Sequence, residues 1–287
     1  MAAGERAAFE RDGYVVVPAV LDPDEVAAYT AIVEALHEQH ATVDAHGRRG
    51  ALHLLGAIHA CPALAPLVAH PRVLGPVWSI LGWNVHVYHS HVDVHPPAAT
   101  GDPYRYRWHR DGGRQNVELE PGASPRLSVK AAYWLSDVTR PGRGNLKVVP
   151  GSHTTRRFDG PPRPDVPWPE PPGAIEVLAR PGDVVLFDRR LWHARSDNRS
   201  AVVRKAVFFA FTYRWVRRRD RAPAMDPGYT PLQRQLLGLL DDTDGDHEWG
   251  HDPRGVPLYE ILRRSGLLEG SARRRGSLGA TCPGAAR

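Results

Sequence analysis

A mainly β chain with flanking helices, built round a double-stranded β-helix (jelly-roll, cupin-like) core, is the fold class this sequence predicts. Three observations carry it. From Trp83 onward, short runs rich in Val, Tyr, Phe and Trp alternate with Pro/Gly punctuation, the pattern of an all-β sandwich or barrel. Before that stretch, and again after Asp226, apolar residues recur at helical steps. No internal repeat divides the 287 residues, a length that a single β domain commonly reaches.

The elements follow in order. Gly13 to Pro18 is a short β-type run. Asp22-Pro23-Asp24-Glu25 then reads as a helix start: Asp22 caps, Pro23 fits the first turn and Glu25 completes a capping box. Val26, Tyr29, Val33 and Leu36 supply one apolar helical face. A second helix is expected over Pro71–Leu81, stopped by Gly82. Strands are expected at Val85–Val94, Arg105–His109, Leu127–Leu135, Leu146–Val149, Ile175–Ala179, Val184–Asp188, Leu191–Ala194 and Val203–Tyr213. Eight short antiparallel strands suit a double-sheet jelly roll. The proline-dense segment Asp159–Gly173 reads as a mobile loop. Helices return at Pro231–Leu240 and Leu258–Arg264. The expected organisation is one domain over 1–268, with the jelly-roll core at about 83–215, and a disordered basic tail over 269–287.

Composition narrows the function classes. No apolar run approaches the ~20 residues that cross a bilayer, so no membrane association is expected. The mixed-charge start, Met1 to Arg11, is not a secretory signal. Cys61 and Cys282 are far apart and form no disulfide framework, which points to a reducing, cytoplasmic compartment. The net charge of +5 is concentrated in Arg217–Arg219 and Arg273–Arg275. Solvated ends account for these clusters, and no aromatic-basic platform accompanies them, so nucleic acid is not an expected partner.

A metal centre is the sharpest chemical signal. His109 and Asp111 are two apart at an expected strand end, so their side chains share a face. By itself a His-x-Asp triplet is weak: among fifteen histidines a surface loop pair is the commoner reading. His193, between Trp192 and Ala194, is the best third ligand from a later strand. Two His and one carboxylate leave positions open, the arrangement non-haem Fe(II) oxygenases use for a co-substrate and O2. Arg204 stands eleven positions after His193 on the last strand. A guanidinium facing the interior needs a partner; the distal carboxylate of 2-oxoglutarate suits it, and an internal Asp or Glu is the alternative. The histidines at 86, 89 and 95 read as barrel-lining or surface residues, and His91 is a pocket candidate.

At these residues the chain resembles the phytanoyl-CoA dioxygenase family of Fe(II)/2-oxoglutarate oxygenases. The resemblance runs from about Phe9 to Tyr213. It is carried by Phe9-Glu10-Arg11-Asp12-Gly13-Tyr14-Val15, by His109-Arg110-Asp111 and by Val148 to His153. The stretch Pro181-Gly182-Asp183 leading to Trp192-His193, then Asn198, Ser200 and Arg204-Lys205-Ala206, is the strongest part. The resemblance implies a jelly-roll core, Fe(II) on His109, Asp111 and His193, and 2-oxoglutarate on Arg204. It implies conversion of 2-oxoglutarate and O2 to succinate and CO2 while a small-molecule substrate is oxidised. It also treats His153 as a structural turn residue and not a ligand. Ser200, Lys130 and Tyr133 are further co-substrate candidates; His91, Trp108, Arg114 and Trp192 are substrate-pocket candidates. Asp111 argues against halogenation, for which the carboxylate is replaced by a small residue. Hydroxylation is the default expectation, with desaturation, epimerisation and cyclisation open. The competing readings are a nucleic-acid- or protein-modifying oxygenase and a non-redox cupin-like metal protein.

Overall fold

The computed structural model describes residues 1, 3–98, 108–113, 115–119, 124–155, 170–240, 253 and 255–268. The expected loop 159–173 falls almost wholly outside them, as do Arg114, most of the expected strand 105–109 and the tail. The chain divides into two compact units, Met1–Leu239 and Leu240–Arg287.

In the first unit, helix α1 (Ala3–Asp12) leads into strand β1 (Tyr14–Val17), then α2 (Pro23–His40) and β2 (Leu52–Leu55). The capping box is formed as expected: Asp22 accepts from the Glu25 amide at 2.8 Å and Glu25 accepts from the Asp22 amide at 3.0 Å. Short helix α3 (Ala57–Ala60), a 3-10 segment (Pro62–Ala69) and α4 (Pro71–Leu81) follow. The β core runs through β3 (Val85–His95), β4 (Ser128–Trp134), β5 (Leu146–Val148), β6 (Ile175–Val177), β7 (Val184–Asp188), β8 (His193–Arg195) and β9 (Arg204–Tyr213), with a short helix α5 (Gln115–Glu118) between β3 and β4. Helix α6 (Pro231–Leu236) ends this unit; α7 (Pro257–Arg264) lies in the second. No helix among the described residues is long and apolar enough to cross a membrane.

The strands form two sheets of antiparallel pairs, a larger one in the order β1-β7-β4-β9-β3-β2 and a smaller one in the order β6-β5-β8. This is the mainly β, jelly-roll architecture that the sequence predicts. β2, which the sequence reading did not include, extends the large sheet by pairing with β3. Because side chains alternate, each strand of the large sheet has an inward and an outward set. Ala132, Trp134, Val185, Phe187, Ala206 and Phe208 point inward and pack with Leu146, Val148 and Val177 of the small sheet. The outward set lies under the helices: Tyr133 donates to the Leu67 carbonyl at 2.7 Å and meets Phe209 edge-on.

β3 carries a register shift. Val87 stands opposite Phe211, but His89 stands opposite Ala210, so Tyr88 is an extra residue. The odd-numbered residues therefore change sides. Val85 and Val87 share the outward set with Tyr213 and Phe211, whereas His89, His91, Asp93 and His95 share the inward set with Ala210, Phe208, Ala206 and Arg204. The chain after β9 closes on this shift: the amides of Arg219 and Asp220 donate to the Tyr88 carbonyl, and the Asp220 carboxylate accepts from His89 Nδ1 at 2.8 Å.

Candidate metal centre

His109 and His193 face each other as an antiparallel pair that exchanges both backbone hydrogen bonds, each 3.0 Å. The exchange adds His109 to the free edge of β8 and brings the two rings to 4.2 Å between centroids. Asp111, two residues on, returns to the same side. Its Oδ1 is 3.7 Å from His109 Nε2, and its Oδ2 is 3.8 Å from His193 Nε2. One donor atom from each of the three residues lies within 4.8 Å of the others. The structure thus brings together the three expected ligands.

Their surroundings fix how they point. His193 Nδ1 is 2.9 Å from the Leu191 carbonyl, which can only accept, so the ring donates there and keeps the Nε2 lone pair for a metal. Burial, reinforced by His109, lowers the His193 pKa to about 3, which leaves the ring neutral at physiological pH. Burial alone would raise the Asp111 pKa; the Lys130 ammonium, 2.7 Å away, and the two histidines outweigh it and hold the carboxylate charged. The Asp111 amide donates to the Arg189 carbonyl at 2.9 Å, and Arg189 Nη1 reaches back to the Asp111 carbonyl. This close approach requires glycine at 112. A Cβ there would stand 2.0 Å from Arg189 Nη1, and φ is +118°. Two imidazole nitrogens and a charged carboxylate oxygen make a donor set of intermediate softness, which fits Fe(II).

The other site candidates separate by side. Lys130 points inward to Asp111, whereas Tyr133, three positions on, points outward to Leu67, so Tyr133 does not line the site. His91 points inward and stacks on Phe208 with 4.3 Å between ring centroids. Arg204 is buried on the same side, 4.8 Å from the Trp134 ring centre, with Nη1 3.4 Å from Asp93 Oδ2. The internal acid that was the alternative partner of Arg204 is therefore present. Trp108 and Trp192 face away from the three expected ligands. They pack with Val149 and Ala194, the residue whose side chain is directed oppositely to that of His193. Ser200 caps a turn, its hydroxyl donating to Asn198 Oδ1 at 2.7 Å. A groove of about 640 Å³ is lined by Trp108 and Ser200 with Lys147, Arg143, Arg195 and Arg199, and by none of the three ligands. His153 donates from Nε2 to the Glu10 carbonyl at 3.1 Å, a structural role. Sequence reasoning missed His53 and Asp93. The His91-x-Asp93 triplet was the available signal for the second of these.

The profile of the phytanoyl-CoA dioxygenase (PhyH) family matches residues 9–206. The chain belongs to the phytanoyl-CoA dioxygenase family. It is accordingly an iron(II)- and 2-oxoglutarate-dependent dioxygenase. Ectoine dioxygenase of Sphingopyxis alaskensis is 27% identical over 237 residues, covering 74% of this chain and 76% of the relative. The crystal structure of EctD from S. alaskensis with 2-oxoglutarate and 5-hydroxyectoine superposes with a TM-score of 0.58 at 28% identity, covering 74% of this chain and 76% of that one. HygX from Streptomyces hygroscopicus with nickel and 2-oxoglutarate has the same fold, with a TM-score of 0.59 at 18% identity over 76% of this chain and 89% of its own.

Proposed function

We propose that this family member oxidises a C–H bond of a small molecule, with Fe(II) held by His109, Asp111 and His193 and 2-oxoglutarate held by Arg204. The observation that carries the reading is the His109–His193 pair with Asp111 closing the third side, all three donor atoms within 4.8 Å. Bound iron and 2-oxoglutarate supply the oxidising power, and O2 is the terminal oxidant. The chain's own contribution is placement. Leu191 and Arg189 hold two of the ligands by backbone hydrogen bonds. Arg204 offers a buried cation on the same interior face for the distal carboxylate. Lys130 neutralises Asp111 before metal enters. Hydroxylation is the favoured outcome, and ectoine, the substrate in the relatives' names, heads the compounds to try.

The test needs no known substrate. Purified protein is supplied with 2-oxoglutarate, O2 and Fe(II), and succinate is measured with and without ectoine and a panel of small metabolites. Fe(II)-dependent succinate is expected in the wild type, raised by the right substrate, and reduced to background in His109→Ala. Wild-type protein that binds neither Fe(II) nor 2-oxoglutarate would overturn the reading.

A further inference from the structure

The chain carries the His-x-Asp pattern a second time, at His91-Val92-Asp93 on β3. The register of β2 and β3 places His53 directly opposite Asp93, with His91 two residues away on the same face. The result is another pair of imidazoles with one carboxylate, and its three donor atoms also lie within 4.8 Å of one another. His53 Nδ1 is 2.5 Å from Asp93 Oδ1, and His91 Nε2 is 3.9 Å from Asp93 Oδ2.

Several features make this set able to take a cation. His91 is held in place between Phe208, at 4.3 Å, and the ring of His89, at 5.3 Å. It is buried, and it turns Nε2 toward the Asp93 carboxylate. The His53 side chain is 57% exposed, which gives an ion a path from solvent. Arg204 and His91 approach Asp93 at Oδ2, and His53 approaches it at Oδ1, which leaves Oδ1 as the oxygen without a guanidinium against it. Two imidazole nitrogens and one carboxylate oxygen, completed by water, suit Zn(II), Co(II) or Ni(II) better than Mg(II) or Ca(II).

We propose that His53, His91 and Asp93 form a second site for a divalent transition-metal ion of the Zn(II) class, separate from the His109/Asp111/His193 centre. The experiment is a Zn(II) titration of the metal-free full-length protein by calorimetry, with bound metal counted after dialysis. Wild-type protein is expected to take up two equivalents, His53→Ala one, His109→Ala one, and the double variant none. Because His53 is exposed, its replacement spares the core, and circular dichroism verifies that each variant is folded. If His53→Ala takes up as much zinc as the wild type, the proposal is overturned. One equivalent lost in His109→Ala and kept in His53→Ala leaves the iron centre standing and removes the second site. The opposite pattern supports the second site and removes the first. Zinc kept by the double variant lies elsewhere and overturns the assignment.

Discussion

The two His-x-Asp triplets use the same spacing but pair differently across strands. At the first, the cross-strand partners are His109 and His193, and the carboxylate comes from two residues along. At the second, the cross-strand partners are His53 and Asp93, and an imidazole comes from two residues along. The first pairing sets two imidazoles against each other with the Asp111 carboxylate beside them, and lone pairs facing one another favour a cation between them. The second pairing already joins a base to an acid at 2.5 Å, with a guanidinium behind the acid. Which residues oppose each other therefore decides how strongly a site demands metal, and ligand spacing alone does not. The first centre is the one to expect filled at low metal concentration.

The change that cuts deepest into this comparison is Arg204→Ala, because Arg204 contacts Asp93 of the second triplet and is the proposed clamp for the co-substrate of the first. Truncating one partner of a buried charged pair costs 2–5 kcal/mol. The 2-oxoglutarate affinity should therefore fall by roughly a hundredfold, while Fe(II) binding measured separately is retained. Freed from the guanidinium, Asp93 should bind zinc more tightly in the same variant. Unchanged 2-oxoglutarate affinity would show that another group makes the clamp.

Asp188→Asn should weaken the fold beside the first centre. Asp188 is fully buried at the end of β7 and accepts from Arg126 at 2.7 Å and from Arg190 at 2.7 and 2.9 Å, just before the turn that presents His193. Breaking this arrangement should cost about 3 kcal/mol of unfolding free energy, read from denaturant midpoints at neutral pH. Burial opposes the charge of Asp188, but Arg190 and Arg126 outweigh it and lower its pKa. Its contribution is thus complete above the ordinary carboxylate pKa and is lost as pH falls through the lower folded value. The wild-type and Asn forms should converge in stability under strongly acidic conditions. A gap that persists there would assign the loss to shape and not to charge.

Ser152→Ala is the mildest of the three. The Ser152 hydroxyl accepts from the Trp192 amide at 2.9 Å, next to His193. Leaving that amide without a partner should cost about 1 kcal/mol. Zinc uptake at His53, His91 and Asp93 should be unchanged.

Much of this was legible in the sequence, because alternation in a strand is a strict rule. β7 matches its expected bounds, and β3, β4 and β9 match theirs within one residue. His109, Asp111 and His193 meet as their spacing requires. The same rule, applied further, turns three of the candidates away from the metal centre. Lys130 facing inward sends Tyr133 outward, and Trp108 and Trp192 are each one step from an inward histidine. Other features had no local signature. β2 lies in a segment without clear alternation and exists because β3 offers it an edge, so the approach of His53 to Asp93 depends on tertiary pairing. Arg204 has a buried acid beside it because His95 opposes it on β3 and Asp93 is two residues back, a relation that crosses more than a hundred residues of chain.

The extra residue at Tyr88 gives β3 something like a reading frame. Upstream of it, odd positions are valines that belong under helices; downstream, odd positions are His89, His91, Asp93 and His95, which belong inside. A point substitution anywhere along this strand alters one side chain. Loss or gain of a single residue at the shift would alter them all, turning four ionisable groups out of the interior and Val92 and Val94 into it. Chain length at that position, more than the identity of any residue there, is what the chemistry of this face depends on.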